Sequence, residues 1–276
     1  MLVRIISGIL GIALATFVIQ TGGVLFAAAG LVFMLVGWQE FTRALEKTKI
    51  PAAFALGALS LVLLWGGAWQ GERNLLFAVV VGIVLVTFIG TVVPLGRVLT
   101  FPTAAQTIVG ILYLGLPFGH LIMLRNLPGT DFAAAQFDFT LDYGAALVWL
   151  AFIATWCSDS FAYFVGSAIG RHKLAPTVSP NKTIEGFCGS LVGTSVVLMA
   201  VAYVFNLSVV KFALLGVCLA VVATLGDLVE SAFKRYAGIK DSGNLIPGHG
   251  GVLDRFDSVL YTVPTVYYYA LLAGVR

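Results

Sequence analysis

A chain of 276 residues that is 59% hydrophobic and 11% charged, with a mean hydropathy of +0.99, lies far from water-soluble domains, in which roughly 25% of residues are charged. A formal charge of +3 is too weak to imply nucleic acid as a partner, and none is expected. The three cysteines, Cys157, Cys188 and Cys218, form no CxxC pair and stand near no histidine cluster, so they read as small apolar packing residues rather than zinc ligands.

Apolar runs follow one another near residues 3 to 20, 23 to 39, 52 to 69, 74 to 95, 104 to 124, 144 to 169, 186 to 206, 210 to 233 and 256 to 274. Each is long enough to cross about 30 Å of hydrocarbon as a helix. Strands of a membrane barrel would read as alternating segments of about ten residues, whereas these runs are continuous, so the expected fold class is all-α: a polytopic bundle of about nine spans. The first run, with Arg4 ahead of it and Ala13 and Ala15 inside it, has the outline of a secretory signal. Apolar sequence continues to Ile19 and a second run follows at once, which favours an uncleaved first helix.

With nine spans the termini lie on opposite faces. An amino terminus in the cytoplasm leaves only Arg73, Arg125, Lys211 and Arg276 outside and places the other twelve of the 16 basic residues inside, Arg4 and Arg97 among them. The outer segment from Arg125 to Asp142 then reads as an acidic loop carrying Asp131, Asp138 and Asp142. Composition changes near Tyr143: residues 1–142 hold spans with few ionisable groups, and in 143–276 carboxylates enter or abut the apolar runs. Both halves are expected to belong to one membrane domain, with the chemistry in the cytoplasmic loops of the second.

The chemistry-bearing residues begin with Asp159, inside the sixth run and flanked by Ser158 and Ser160. A charge at mid-bilayer costs at least ~2.5 kcal/mol on insertion scales, so Asp159 either lines a cavity or sits at an interface where the serines bond it. Further on, Pro176 and Pro180 forbid a continuous helix, Thr183 or Asn181 can cap the next one, and Lys182 stands beside that helix start as a phosphate contact or as an ordinary basic loop residue. If the eighth span stays helical through Arg235, Asp227, Glu230, Ser231 and Lys234 share one face at i, i+3, i+4 and i+7. On the next helix Asp254, Asp257, Ser258 and Tyr261 repeat that spacing. Two acidic stripes suit a hard divalent cation such as Mg²⁺, which one or two carboxylates hold together with substrate phosphate. Between them the segment from Lys240 to Gly251 is rich in glycine. Gly250 and Gly251 let backbone N–H groups approach a phosphate, Lys240 and Arg255 neutralise its charge, and His249 is either a proton carrier or phosphate donor, or a loop-stabilising residue. This combination points to phosphoryl or nucleotidyl transfer.

Ser231, Lys234, Arg235, Lys240, Asp241, Gly243, Ile246, Pro247, His249, Gly250, Gly251, Asp254, Arg255 and Asp257, in this order and spacing, resemble the signature of the phosphatidate cytidylyltransferases, also called CDP-diacylglycerol synthases. The resemblance extends upstream through Asp159, Ala162, Tyr163, Gly166, Gly170 and Arg171, through Ser179-Pro180 with Lys182, Thr183, Glu185 and Gly186, and through Gly226-Asp227-Leu228. It covers the second half specifically and the first half in hydropathy alone. Asn181 and Ile184 depart from it, standing where a lysine and a tryptophan are usual.

The resemblance implies transfer of CMP from CTP to phosphatidate at a cytoplasm-facing site in a membrane homodimer, with Mg²⁺, and a monovalent ion such as K⁺, held by Asp227 and Asp254. Asp257, Glu230 and Ser231 would complete or orient that shell, and Lys182, Lys234, Lys240, Arg235 and Arg255 would neutralise phosphate. Asp159 would be a cavity acid near the lipid entrance. The compact length suggests a bacterial inner membrane. Two rivals explain part of the pattern: an ion-coupled transporter accounts for Asp159, and a CTP-dependent polyprenol kinase would share nucleotide and cation while releasing CDP. A CDP-alcohol phosphotransferase lacks support, because its closely spaced aspartates are missing.

Overall fold

The computed structural model describes residues 2–93, 99–134, 137–243, 245 and 250–272. Arg97, Ile246, Pro247, His249 and Arg276 lie outside the described residues. The helices are α1 (Leu2–Thr21), α2 (Gly23–Glu46), α3 (Phe54–Gln70), α4 (Arg73–Ile89), α5 (Phe101–Arg125), α6 (Tyr143–Ile169), α7 (Ile184–Val204), α8 (Val209–Tyr236), α9 (Leu253–Phe256) and α10 (Val259–Leu272). Each of the nine apolar runs becomes a helix, because a continuous apolar stretch in lipid must satisfy its own backbone hydrogen bonds. Five helices, α2, α5, α6, α7 and α8, are long and apolar enough to cross a membrane. Val192, Val196, Leu214 and Val217 on α7 and α8 remain exposed, as side chains facing lipid would.

Helices dominate as the all-α expectation requires, and the sheet content is minor. Two short antiparallel hairpins interrupt the helices: β1 (Phe132–Ala134) pairs with β2 (Phe139–Leu141), and β3 (Lys173–Ala175) pairs with β4 (Ser179–Thr183). The second forms where Pro176 and Pro180 remove helical N–H donors and push their neighbours toward extended backbone.

The chain divides into two compact units, each discontinuous in sequence: Met1–Met123 with Lys234–Arg255, and Leu124–Phe233 with Phe256–Arg276. In the first unit, Gly22 and Gly23 adopt positive φ and turn the chain sharply from α1 into α2. The buried face of α2 carries Phe26, Gly30, Met34, Gly37, Trp38, Phe41 and Leu45 at helical spacing. Trp38 lies over Gly57 of α3 and Gly110 of α5, where any side chain would collide with its ring, and its Nε1 donates to the Phe54 carbonyl at 3.0 Å. This packing fixes the rotation of α2, and with it the inward direction of Glu40.

In the second unit α6 and α7 pack along small residues: Gly189 meets Val165, and Gly193 meets the Phe161 ring. Thr155 of α6 and Thr262 of α10 share a buried hydrogen bond of 2.9 Å. The acidic loop of the sequence reading is tied down at its base. Arg125 contacts Asp142 at 2.6 Å, and the same carboxylate oxygen caps α6 by accepting from the Ala145 N–H at 2.9 Å.

Candidate functional site

The first unit contains a buried polar cluster built from α2, the end of α8 and the segment leading into α9. Lys234, in the last turn of α8, places its ammonium 2.8 Å from Asp254 Oδ1. Asp254 Oδ2 accepts from the Ser242 N–H at 2.9 Å, the Ser242 hydroxyl at 2.8 Å and the Gly251 N–H at 2.9 Å. The Asp254 side chain is only 8% exposed. Burial alone would push its carboxyl up, but the Lys234 ammonium and the donors from Gly251 and Ser242 overcome this and hold it at about 2. It is an anion under all ordinary conditions.

A second carboxylate, absent from the sequence reading, completes this cluster. Glu40 on α2 is 6% exposed. Its Oε1 accepts from the Val252 N–H at 2.9 Å, and its Oε2 accepts from the Leu253 N–H at 2.9 Å. Glu40 Oε2 also lies 3.2 Å from the Ser242 hydroxyl, which lies closer, at 2.8 Å, to Asp254 Oδ2. A signal was present in the sequence: an acid within the helix continuing an apolar run is costly and calls for a partner. Its partners are 202 to 213 positions away, beyond any local pattern.

The glycines of this segment answer to the two carboxylates. A Cβ at Gly243 would collide with the Glu40 carboxylate, and one at Gly251 would meet both Glu40 oxygens and the Ser242 hydroxyl. Gly250 has φ +86, which other residues rarely adopt, and a Cβ there would press on Asp254 Oδ2. The N–H of Gly251, expected to face phosphate, donates to Asp254, and those of Val252 and Leu253 donate to Glu40. Lys240, Arg235 and Arg255 are exposed.

In the second unit Lys182, at the penultimate position of β4, sets its ammonium 2.6 Å from Asp227 Oδ2 on α8. Asp227 Oδ1 accepts from the Ser231 hydroxyl one turn later at 3.2 Å. The helix does continue through Arg235, so the stripe of Asp227, Glu230, Ser231 and Lys234 exists as read. Glu230 is 1% exposed, whereas the Asp227 side chain is 30% exposed. Thr183, next to Lys182, caps α7 by accepting from the Gly186 N–H at 3.1 Å. Glu185 in the first turn of α7 receives the N–H groups of Arg171 and His172 and contacts the His172 ring at 2.6 Å. Asp159 is exposed on α6, while its neighbour Ser158 is buried.

The second acidic stripe is corrected. Helix α9 lasts four residues, the chain turns at Asp257 and Ser258, and α10 starts at Val259, so Asp254, Asp257, Ser258 and Tyr261 do not share one continuous helix face. The turn has a local cause. Asp257 Oδ1 takes the Ser258 N–H at 2.6 Å, and the Ser258 hydroxyl donates to the Ala223 carbonyl of α8 at 3.0 Å.

Asp227 and Asp254 each carry hard oxygen donors of the kind that Mg²⁺ prefers, and each is in contact with a lysine ammonium. Among the described residues no group of three or more His, Cys, Asp or Glu could enclose a metal ion.

Comparison with known proteins agrees with this chemistry. The model of the cytidylyltransferase family matches residues 2–273. A phosphatidate cytidylyltransferase of Bacillus subtilis is 33% identical over 279 residues, covering 96% of each chain. Proteins of that name from Staphylococcus haemolyticus and Staphylococcus aureus are 32% and 31% identical over 270 residues, again with 96% of each chain covered. With the match running through nearly its whole length, the chain belongs to the cytidylyltransferase family.

Proposed function

We propose that this protein is an integral membrane phosphatidate cytidylyltransferase, which moves CMP from CTP to phosphatidate and yields CDP-diacylglycerol and pyrophosphate. The observation that carries the reading is the buried Lys234–Asp254 pair, bonded to Ser242 and Gly251 within the segment that resembles the family signature. Relatives with this activity in their names align over 96% of the chain.

In the reaction an oxygen of the phosphatidate phosphate attacks the α-phosphorus of CTP, a new P–O bond forms, and the bond to the β-phosphate oxygen breaks. The attacking phosphate is already anionic, so no strong base is needed; the protein aligns the groups and stabilises charge gathering on pyrophosphate. Lys182 and Lys234 carry ammonium groups beside Asp227 and Asp254, and the exposed Lys240, Arg235 and Arg255 supply further positive charge for triphosphate. Asp227 and Asp254 would hold Mg²⁺, with K⁺ as a companion ion; the divalent ion would supply charge neutralisation at the phosphates. Ser231 orients Asp227 through their hydrogen bond, and Glu230 and Asp257 remain secondary candidates for that shell.

A lipid substrate accounts for such chemistry in a membrane chain: the acyl chains stay in hydrocarbon while the headgroup reaches water-borne CTP. The reading includes about nine spans with the amino terminus and the site on the cytoplasmic side of a bacterial inner membrane, and a homodimer. The test is pyrophosphate release by detergent-purified protein given CTP and phosphatidate, with and without Mg²⁺. Release that requires both substrates and the ion is expected. Release of CDP in place of pyrophosphate would point to a lipid kinase, and no nucleotide turnover in a folded, lipid-supplemented preparation would favour the transporter.

A further inference from the structure

We infer that Glu40 is a positioning residue for Asp254, acting from α2 through the backbone at Val252 and Leu253 and through Ser242. The inference rests on the cytidylyltransferase reading of the Asp254 cluster. Three observations converge on it. Glu40 is 6% exposed in an otherwise apolar helix face, a location that favours a carboxylate only if its oxygens are bonded. Both oxygens are bonded, at 2.9 Å each, to consecutive N–H groups immediately before Asp254. Finally, Ser242 links the two acids, its hydroxyl lying 3.2 Å from Glu40 and 2.8 Å from Asp254.

The local packing makes this linkage stiff. Gly37, one turn before Glu40, lies against the side chains of Val252 and Leu253, both of which are buried. Glycine at 243 and at 251 lets the backbone at each of these positions approach the Glu40 carboxylate. The result is that α2, whose rotation Trp38 fixes, holds the two residues before Asp254 in place. The hydrogen bonds described for Glu40 go to Ser242, Val252 and Leu253, and none of them goes to Lys234 or Asp254. Its effect on the reaction is therefore exerted through the place of Asp254 and its Lys234 partner.

The experiment compares wild type, Glu40→Gln and the control Thr42→Ala, which removes a buried hydroxyl whose described hydrogen bonds, to the Trp38 and Gln39 carbonyls, stay within α2. Wild-type pyrophosphate release from CTP and phosphatidate tests the functional reading itself; the variants are read only against that rate. Glu40→Gln puts an NH₂ group where an N–H donor now finds an acceptor. Loss of such an orienting partner predicts a kcat lower by roughly 10- to 100-fold with KM for both substrates changed by less than about threefold. Faster hydrogen exchange at the Val252 and Leu253 amides is expected alongside, with wild-type kcat per folded molecule in Thr42→Ala. The inference fails if Glu40→Gln keeps kcat within about twofold of wild type, or if the two amides stay protected while activity falls only in step with folded protein. If Glu40→Gln does not fold, Glu40→Asp carries the same test, since it keeps the charge and shortens the reach by one methylene.

Discussion

Two lysine–carboxylate pairs, one in each unit, have the same chemistry and different surroundings. Asp254 and Lys234 are 8% and 17% exposed, and every described contact of the carboxylate comes from a group that is itself held. Asp227 and Lys182 are 30% and 23% exposed, and one serine hydroxyl is the other contact described for that carboxylate. A carboxylate in the first setting is fixed before substrate arrives, and its partners are costly to remove. One in the second is more open to solvent, and removing its ammonium costs the fold less. Preorganisation and availability are thus divided between two aspartates that the sequence presents as equivalents.

The sharpest way to break this comparison is to neutralise each acid. Asp254→Asn is expected to lower pyrophosphate release by at least about 10³-fold and to destabilise the protein by ~3 kcal/mol, because an amide NH₂ cannot accept from the donors now facing it. Asp227→Asn should match the loss of activity with a much smaller loss of stability, read by thermal unfolding in detergent. Equal destabilisation of the two variants would erase the distinction.

Removing the lysines separates the pairs further. Lys234→Met leaves a buried carboxylate without its ammonium and should cost ~3 kcal/mol, whereas Lys182→Met should cost under ~1 kcal/mol, both with reduced turnover. Ser242→Ala takes one donor from Asp254 and from the link to Glu40; about 1 to 2 kcal/mol and a roughly tenfold lower kcat are expected. Thr183→Ala removes the α7 cap beside Lys182 and should cost about 1 kcal/mol, with KM for CTP rising more than kcat falls.

Acid is expected to give the smallest of these effects. The Asp254 carboxyl sits at about 2 in the fold, below its ordinary value of 3.8. A depressed value means that its contribution to stability is complete above the ordinary value and is lost as pH falls toward about 2. The stability difference between wild type and Asp254→Asn should therefore shrink as pH drops from about 4 to about 2, measured by unfolding across that range.

Much of this molecule was legible before any coordinates. The apolar runs became helices because length and hydropathy are local properties and lipid leaves the backbone no other way to bond. Thr183 caps its helix and α8 carries its stripe to Lys234, since both depend on residues within two turns. The prolines at 176 and 180 announced a break but not the hairpin that fills it, because strand pairing needs a partner as well as an interrupted helix. The stripe after Gly251 was misread for a similar reason. Ser258 finds the Ala223 carbonyl on α8, and that tertiary bond, with the Asp257 carboxylate on the next N–H, stops the helix where spacing alone would continue it.

The sequence by itself determined the solvent, the helical class and the set of charged residues available for phosphate and metal, because these follow from composition and short-range periodicity. Tertiary structure alone decided which acid is buried and held, which is more exposed, and that Glu40 joins the Asp254 segment. Hydrogen bonding at a carboxylate is determined by whatever donors the fold brings within reach, and for Glu40 those groups come from more than 200 residues away.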